Sequence, residues 1–182
     1  MFAEREEVDR LSSLETPTGP VGVFAFLDVS VEELLESRNL LVLLHGVQDP
    51  GNVGTVIRAA HAFGAGVVLS KGCADLYNPK TVRATMGSIF HAPVAREVQS
   101  IELLERARAA GFVSSAAVPE GGETYSPAVA GKSVVVVGAE GGGLPEEVES
   151  FCDKRVSIPA QASSLNAAMA ASILLYEAYA VC

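Results

Sequence analysis

Three polar, glycine-containing stretches hold the residues best suited to chemistry. The first is His45-Gly46-Val47-Gln48-Asp49-Pro50-Gly51-Asn52-Val53-Gly54, which leads into a segment carrying Arg58. Asn52 offers a donor and an acceptor, and Arg58 a fixed fork of charged donors. The plainer alternative makes Asn52 a helix cap and Arg58 a surface charge, since residues six apart do not share a helix face. The second stretch is Gly138-Ala139-Glu140-Gly141-Gly142-Gly143-Leu144. Its consecutive glycines let backbone approach a ligand closely or take positive φ. A dinucleotide fingerprint is excluded, because no helix follows within a βαβ unit and Glu140 would repel a pyrophosphate. A Walker loop is excluded by the missing Lys and Ser/Thr. A neutral adenosine or a cationic sulfonium fits such a loop better than phosphate, and a surface hairpin is the alternative. The third stretch is Ile158-Pro159-Ala160-Gln161-Ala162-Ser163-Ser164-Leu165-Asn166. There Ser163 or Ser164 is expected to cap the last helix, with Asn166 near its first turn.

These loops need a scaffold, and the apolar pattern supplies one. Leu40–Leu44 and Val134–Val137 are strand-length apolar runs, the second expected at the centre of a sheet. Further strands are predicted at Val23–Leu27, Val67–Leu69, Phe90–Val94, Phe112–Ala117 and Arg155–Ile158. Helices are predicted at Ser30–Arg38 (capped by Ser30), Val53–Phe63, Lys80–Met86, Ile101–Ala110, Pro145–Ser150 and Leu165–Tyr179. Strands alternating with helices mean an α/β domain with a mostly parallel sheet, whose ligands bind at the carboxyl ends of the strands. Residues 1–20 read as an acidic segment ending in the linker Thr16-Pro17-Thr18-Gly19-Pro20, and 21–182 as one domain.

Composition narrows the partners. The net charge of −9 argues against a broad nucleic-acid surface. Its distribution leaves room for a local one. Residues 1–38 hold nine acidic and three basic side chains, whereas 49–96 hold two acidic and five basic: Arg58, Lys71, Lys80, Arg83 and Arg96. No run is long and apolar enough to span a membrane, and the N-terminus is neither a basic signal peptide nor an Arg-rich transit peptide, so the cytoplasm is expected. Cys73, Cys152 and Cys182 are distant, odd in number and outside any zinc spacing, so no metal is expected.

Taken in order, the three loops resemble the SpoU (TrmH-like) family of RNA ribose methyltransferases within the SPOUT superfamily. The resemblance rests on Asp49-Pro50-Gly51-Asn52-Val53-Gly54 with Arg58-Ala59-Ala60 and Phe63-Gly64, and on Val137 to Leu144. It continues through Ile158-Pro159, Ser164-Leu165-Asn166 and Ala170 to Glu177, with a further segment from Val82 to Phe90. It covers about Gly22 to Glu177. The resemblance implies a SPOUT-type α/β fold, a mostly parallel sheet flanked by helices with a C-terminal trefoil knot, despite the general rarity of knots. It implies a homodimer whose active site takes groups from both subunits. It implies methyl transfer from S-adenosyl-L-methionine to a ribose 2′-hydroxyl of structured RNA, ribosomal RNA in preference to transfer RNA. Carried over residue by residue, Arg58 is the catalytic arginine, Asn52 positions the active-site loop, Glu140 supports the site, and Ser164 and Asn166 line it. Gly138, Ile158 and Leu165 match cofactor contacts. Two departures stand out. The third loop has Ala160 and Ala162 and is two positions shorter than usual, and only a short acidic segment precedes the linker where many relatives carry an RNA-binding domain. The shortened third loop and the acidic charge support the alternative, a non-catalytic knotted dimeric RNA-binding or assembly protein.

Overall fold

The computed structural model describes residues 25–124 and 131–180. The acidic segment and linker over 1–20 lie outside them, as do Val23 and Phe24 of the first expected strand; Ala25–Leu27 are not in a strand. In chain order the elements are α1 (Val31–Ser37), β1 (Leu40–His45), α2 (Pro50–Ala62), β2 (Gly66–Ser70), α3 (Pro79–Ala84) and a 3₁₀ turn (Ser88–Phe90). There follow β3 (Val94–Val98), α4 (Ser100–Ala109), β4 (Phe112–Ala117), β5 (Glu123–Thr124), β6 (Lys132–Gly138), α5 (Glu146–Phe151), β7 (Lys154–Ser157) and α6 (Ala167–Ala180).

The strands form one sheet in the order β3-β2-β1-β6-β4-β7-β5. Every pairing in it is parallel. Val134–Val137 lie in the middle strand, as their uninterrupted β-branched run predicts. Alternate residues of the same run serve opposite cores. Leu40, Val42, Leu44, Val135 and Val137 join the α2 and α6 side. Leu41, Leu43, Val134 and Val136 join the α1 and α4 side. Both faces are covered, which is why the strands read as continuous apolar segments instead of alternating ones.

Local chemistry sets the ends of the helices. Ser30 accepts from the Glu33 amide at 3.1 Å, so the expected cap of α1 is present. The α2 helix starts three residues before the expected Val53, because Asp49 takes the cap, accepting from the Asn52 amide at 2.8 Å, and Pro50 fills the first turn. The segment expected as an extended Phe90–Val94 instead ends the 3₁₀ turn, and β3 begins where that segment stops. The last helix is not capped by Ser163 or Ser164. Asn166 holds that position, its Oδ1 accepting from the amides of Ala168 at 2.9 Å and Met169 at 3.2 Å. Among the described residues no helix is long and apolar enough to cross a membrane.

Candidate active site

Because β1 and β6 are neighbours in register, with His45 opposite Gly138, the loops that follow them emerge side by side at the carboxyl edge of the sheet. The loop after β7 rises beside them, since β7 is joined to β6 through β4. Three segments up to 114 residues apart in sequence therefore meet at one edge.

The loop after β6 is a tight reversal. Gly143 donates its amide to the Ala139 carbonyl at 2.9 Å. Gly141 and Gly143 have φ of 79° and 66°, a left-handed geometry that side chains resist. At Gly138 there is no room for a side chain at all, since a Cβ would stand 2.2 Å from the Gly143 carbonyl carbon and 2.5 Å from the Leu144 nitrogen. The hairpin anticipated as an alternative is real, and it forms one wall of a cleft.

That cleft has a volume of about 380 Å³, within the range of small-molecule sites. Val137, Val156 and Leu174 give it an apolar floor, Gly138 to Gly141 and Gly143 one wall, and Ile158 to Ala167 much of another. Of the eight residues singled out in the sequence, Gly138, Glu140, Ile158, Ser164, Leu165 and Asn166 line it. So do both departures of the third loop, Ala160 and Ala162. Ala117, Val118 and Pro119 at the end of β4 also line the cleft, and sequence reasoning missed them. Their one available signal is that β4 ends there, and ligands gather at strand ends.

Asn52 does not line the cleft, yet it binds two residues that do. Its Nδ2 donates to the Glu140 carboxylate, and its Oδ1 accepts from Asn166 Nδ2 at 3.1 Å. Released from capping by Asp49, the Asn52 side chain ties the start of α2 to both cleft loops. Asn166 is at once a helix cap and the second link in this chain.

Arg58 stands apart. It is exposed, and six residues of helix place it about 9 Å along α2 from Asn52. Among the described residues it has no hydrogen-bond or ion-pair partner. Two other polar groups near the sheet edge are structural. Burial pushes the His45 imidazole below its ordinary pKa, and its Nδ1 lies 2.8 Å from Ser100 Oγ. Burial pushes the Cys73 thiol up, and its Sγ donates to the Leu44 carbonyl, as expected of a packing thiol.

Comparison with known proteins gives this geometry a context. The SpoU rRNA methylase family matches residues 39–176. The chain is 36% identical over 173 residues to the 23S rRNA (guanosine(2553)-2′-O)-methyltransferase RlmP of Bacillus subtilis, covering 93% of this chain and 69% of that protein. Among solved structures it is similar to the SpoU methyltransferase AviRb of Streptomyces viridochromogenes in complex with AdoMet, with TM-score 0.70 and 37% identity over 77% of this chain and 56% of that one. It is also similar to an AdoMet-bound rRNA methyltransferase of Sinorhizobium meliloti, with TM-score 0.71 and 39% identity over 76% of this chain and 55% of that one. The chain thus spans just over half the length of these two solved proteins.

Proposed function

The chain belongs to the SpoU rRNA methylase family, and from that premise we propose that it transfers a methyl group from S-adenosyl-L-methionine to a ribose 2′-hydroxyl of ribosomal RNA. The observation that carries the proposal is the Asn166–Asn52–Glu140 hydrogen-bond chain, which joins three loops around one cleft. The cleft fits the cofactor chemically. Its apolar floor suits a nucleoside and a thioether chain, its glycine wall presents backbone groups at close range, and the Glu140 carboxylate at its rim suits a sulfonium cation. Gly138, Ile158 and Leu165 would hold it, with Ser164 and Asn166 beside them. When bound, S-adenosyl-L-methionine supplies the methyl group and the sulfur leaving group.

The protein's own work is orientation and charge. A ribose oxygen gains a carbon as the carbon–sulfur bond breaks, and its hydroxyl proton must leave. The Arg58 guanidinium is a charged donor, suited to aiming that hydroxyl and stabilising the negative charge growing on its oxygen. In this reading the cleft is served by Arg58 of a second copy, because in its own chain Arg58 lies about 9 Å along α2 from Asn52, which itself stands outside the cleft. A homodimer is supported by the apolar face beside it. Met169 is 56% exposed, Tyr176 54% and Tyr179 55%, and the two tyrosines flank Phe63 at the C-cap of α2. The C-terminal trefoil knot and the cytoplasmic location belong to the same proposal. AdoMet in two solved relatives favours catalysis over the binding-only alternative.

The test is single-turnover transfer of labelled methyl groups to saturating 23S rRNA by the chain and by Arg58→Ala. The variant should bind S-adenosyl-L-methionine normally and lose roughly 10²–10³ in rate, the usual loss of one well-placed donor to developing charge. A near-normal maximal rate would leave Arg58 with a docking role only.

A further inference from the structure

The chain is acidic overall, yet among the described residues four of its exposed cations without a partner fall between Arg58 and Arg83. Arg96, Arg106, Arg108 and Arg155 each hold a carboxylate, and Lys132 donates to the Leu35 carbonyl. By contrast, Arg58, Lys71, Lys80 and Arg83 are exposed and have no side-chain partner among the described residues. Between Pro50 and Arg96 the only acidic residue is Asp75. Among the described residues, Arg38, half-buried against Gly66, and Lys154, exposed at the amino end of β7, also lack ion pairs.

Packing shows how Arg58 and the segment after α3 come together. A Cβ on Gly54 would stand 2.4 Å from the Ala84 Cβ and 2.8 Å from the Thr81 carbonyl, so α3 rests directly on α2 at that point. His61 Nδ1 lies 3.2 Å from Ser88 Oγ, and its ring stacks on His91 at 4.6 Å. Arg58 is one turn beyond Gly54 on the same helix face and one turn before His61. It therefore rises between the two contacts, beside the turn that joins α3 to the 3₁₀ helix. That turn is strained. Met86 has φ 49° and is 76% exposed, a left-handed methionine with its side chain in solvent. Thr81 and Thr85 are fully buried on the inner side, which leaves Lys80, Arg83 and Met86 facing outward. Strain of this kind persists only where the surrounding structure over-determines it, and such positions cluster at ligand-binding sites.

We propose that Lys80, Arg83 and Met86 form a docking face for the substrate RNA alongside Arg58, resting on the methyl-transfer reading above. Lys80 and Arg83 contact phosphates flanking the target nucleotide, and Met86 offers an apolar surface to a ribose or base. Charge selects the occupant: a strip of cations with no carboxylate partner among the described residues, on a chain of net charge −9, complements a polyanion.

The experiment is binding of in-vitro transcribed 23S rRNA across a salt series, by the full chain, the double variant Lys80→Ala/Arg83→Ala, and Lys154→Ala. Each phosphate contact adds about 0.7–0.9 to the slope of log affinity against log salt, so the double variant should lose about 1.5 of slope. Lys154→Ala removes an unpaired cation at the other end of the sheet and should lose none. This measurement does not depend on methyl transfer. Binding that loses its slope in the double variant upholds the docking face even if transfer never occurs, and transfer with unchanged slope leaves the catalytic reading intact. An unchanged slope, a loss equalled by Lys154→Ala, or a change of oligomer mass in the double variant by light scattering would overturn the face.

Discussion

Replacing Asn52 tests whether the three loops act as a unit. Its side chain makes two bonds, one to the Glu140 carboxylate and one from Asn166 at 3.1 Å. Fully buried, the charge-assisted bond would contribute about 1.5–3 kcal/mol and the neutral one about 0.5–1.5 kcal/mol. Both Glu140 and Asn166 are exposed, so water recovers much of this when Asn52 is removed. The coupling left to the loops is about 1–2 kcal/mol. Asn52→Ala should therefore weaken S-adenosyl-L-methionine binding by roughly 5- to 30-fold. The melting temperature should hardly move, because Asn52 is only half-buried and belongs to neither core cluster. Asn52→Asp is the sharper perturbation. It keeps the acceptor for Asn166 but sets a carboxylate against Glu140, a repulsion of about 1 kcal/mol beyond the lost bond at an exposed site. Adding Glu140→Gln restores a donor opposite the new carboxylate. Calorimetry should then rank affinity as unaltered chain, double variant, Asn52→Ala and last Asn52→Asp. An Asn52→Asp chain that binds as tightly as the unaltered one, or a double variant no better than Asn52→Asp, would refute the coupling.

Two further substitutions probe the hairpin and the sheet's outer support. Gly138→Ala places a methyl group 2.2 Å from backbone, so the Ala139–Gly143 reversal must open; a loss of about 1–3 kcal/mol and much weaker cofactor binding are expected, checked by urea unfolding and calorimetry. Asp153 accepts from the Ser114 amide at 2.8 Å and the Ser114 hydroxyl at 2.7 Å, and pairs with Arg108. Burial alone would raise its pKa, but the Ser114 bonds and Arg108 outweigh that and hold it below the ordinary 3.8. Its stabilisation is therefore full above that value and lost as pH falls through the lower folded-state value. Asp153→Ala should cost about 2 kcal/mol near neutral pH, with the difference shrinking in strong acid; a constant difference in unfolding free energy across that range would contradict the assignment.

The sheet was readable because its signal is dense. Runs such as Val134–Val137 are buried on both faces, and no alternative structure buries four consecutive β-branched side chains as well. Boundaries failed where several residues compete for one role. Asp49 and Asn52 both cap helices in general, and Pro50 after Asp49 was the deciding cue. Ser163, Ser164 and Asn166 compete likewise, and the buried Ala167 and Ala168 settle where the helix starts. The strand Glu123–Thr124 carries no apolar pattern, because both residues are exposed and it pairs only with β7 at the sheet's edge. The site raises a different difficulty. Each loop taken alone admits a plain structural explanation, and each such explanation was partly correct, since Asn166 is a cap and the glycine loop is a hairpin. What separates a cap from a site residue is the partner found across the sheet edge, and strand order decides that. Periodicity places β1 and β6 in a sheet but does not make them neighbours; only their pairing brings Asn52 to Glu140. Arg58 remains outside this convergence, one helix face away, among the cations that no described residue neutralises. A cleft enclosed by one set of residues and a charged face presented by another is the division expected when a small cofactor and a large polyanion must meet at one bond.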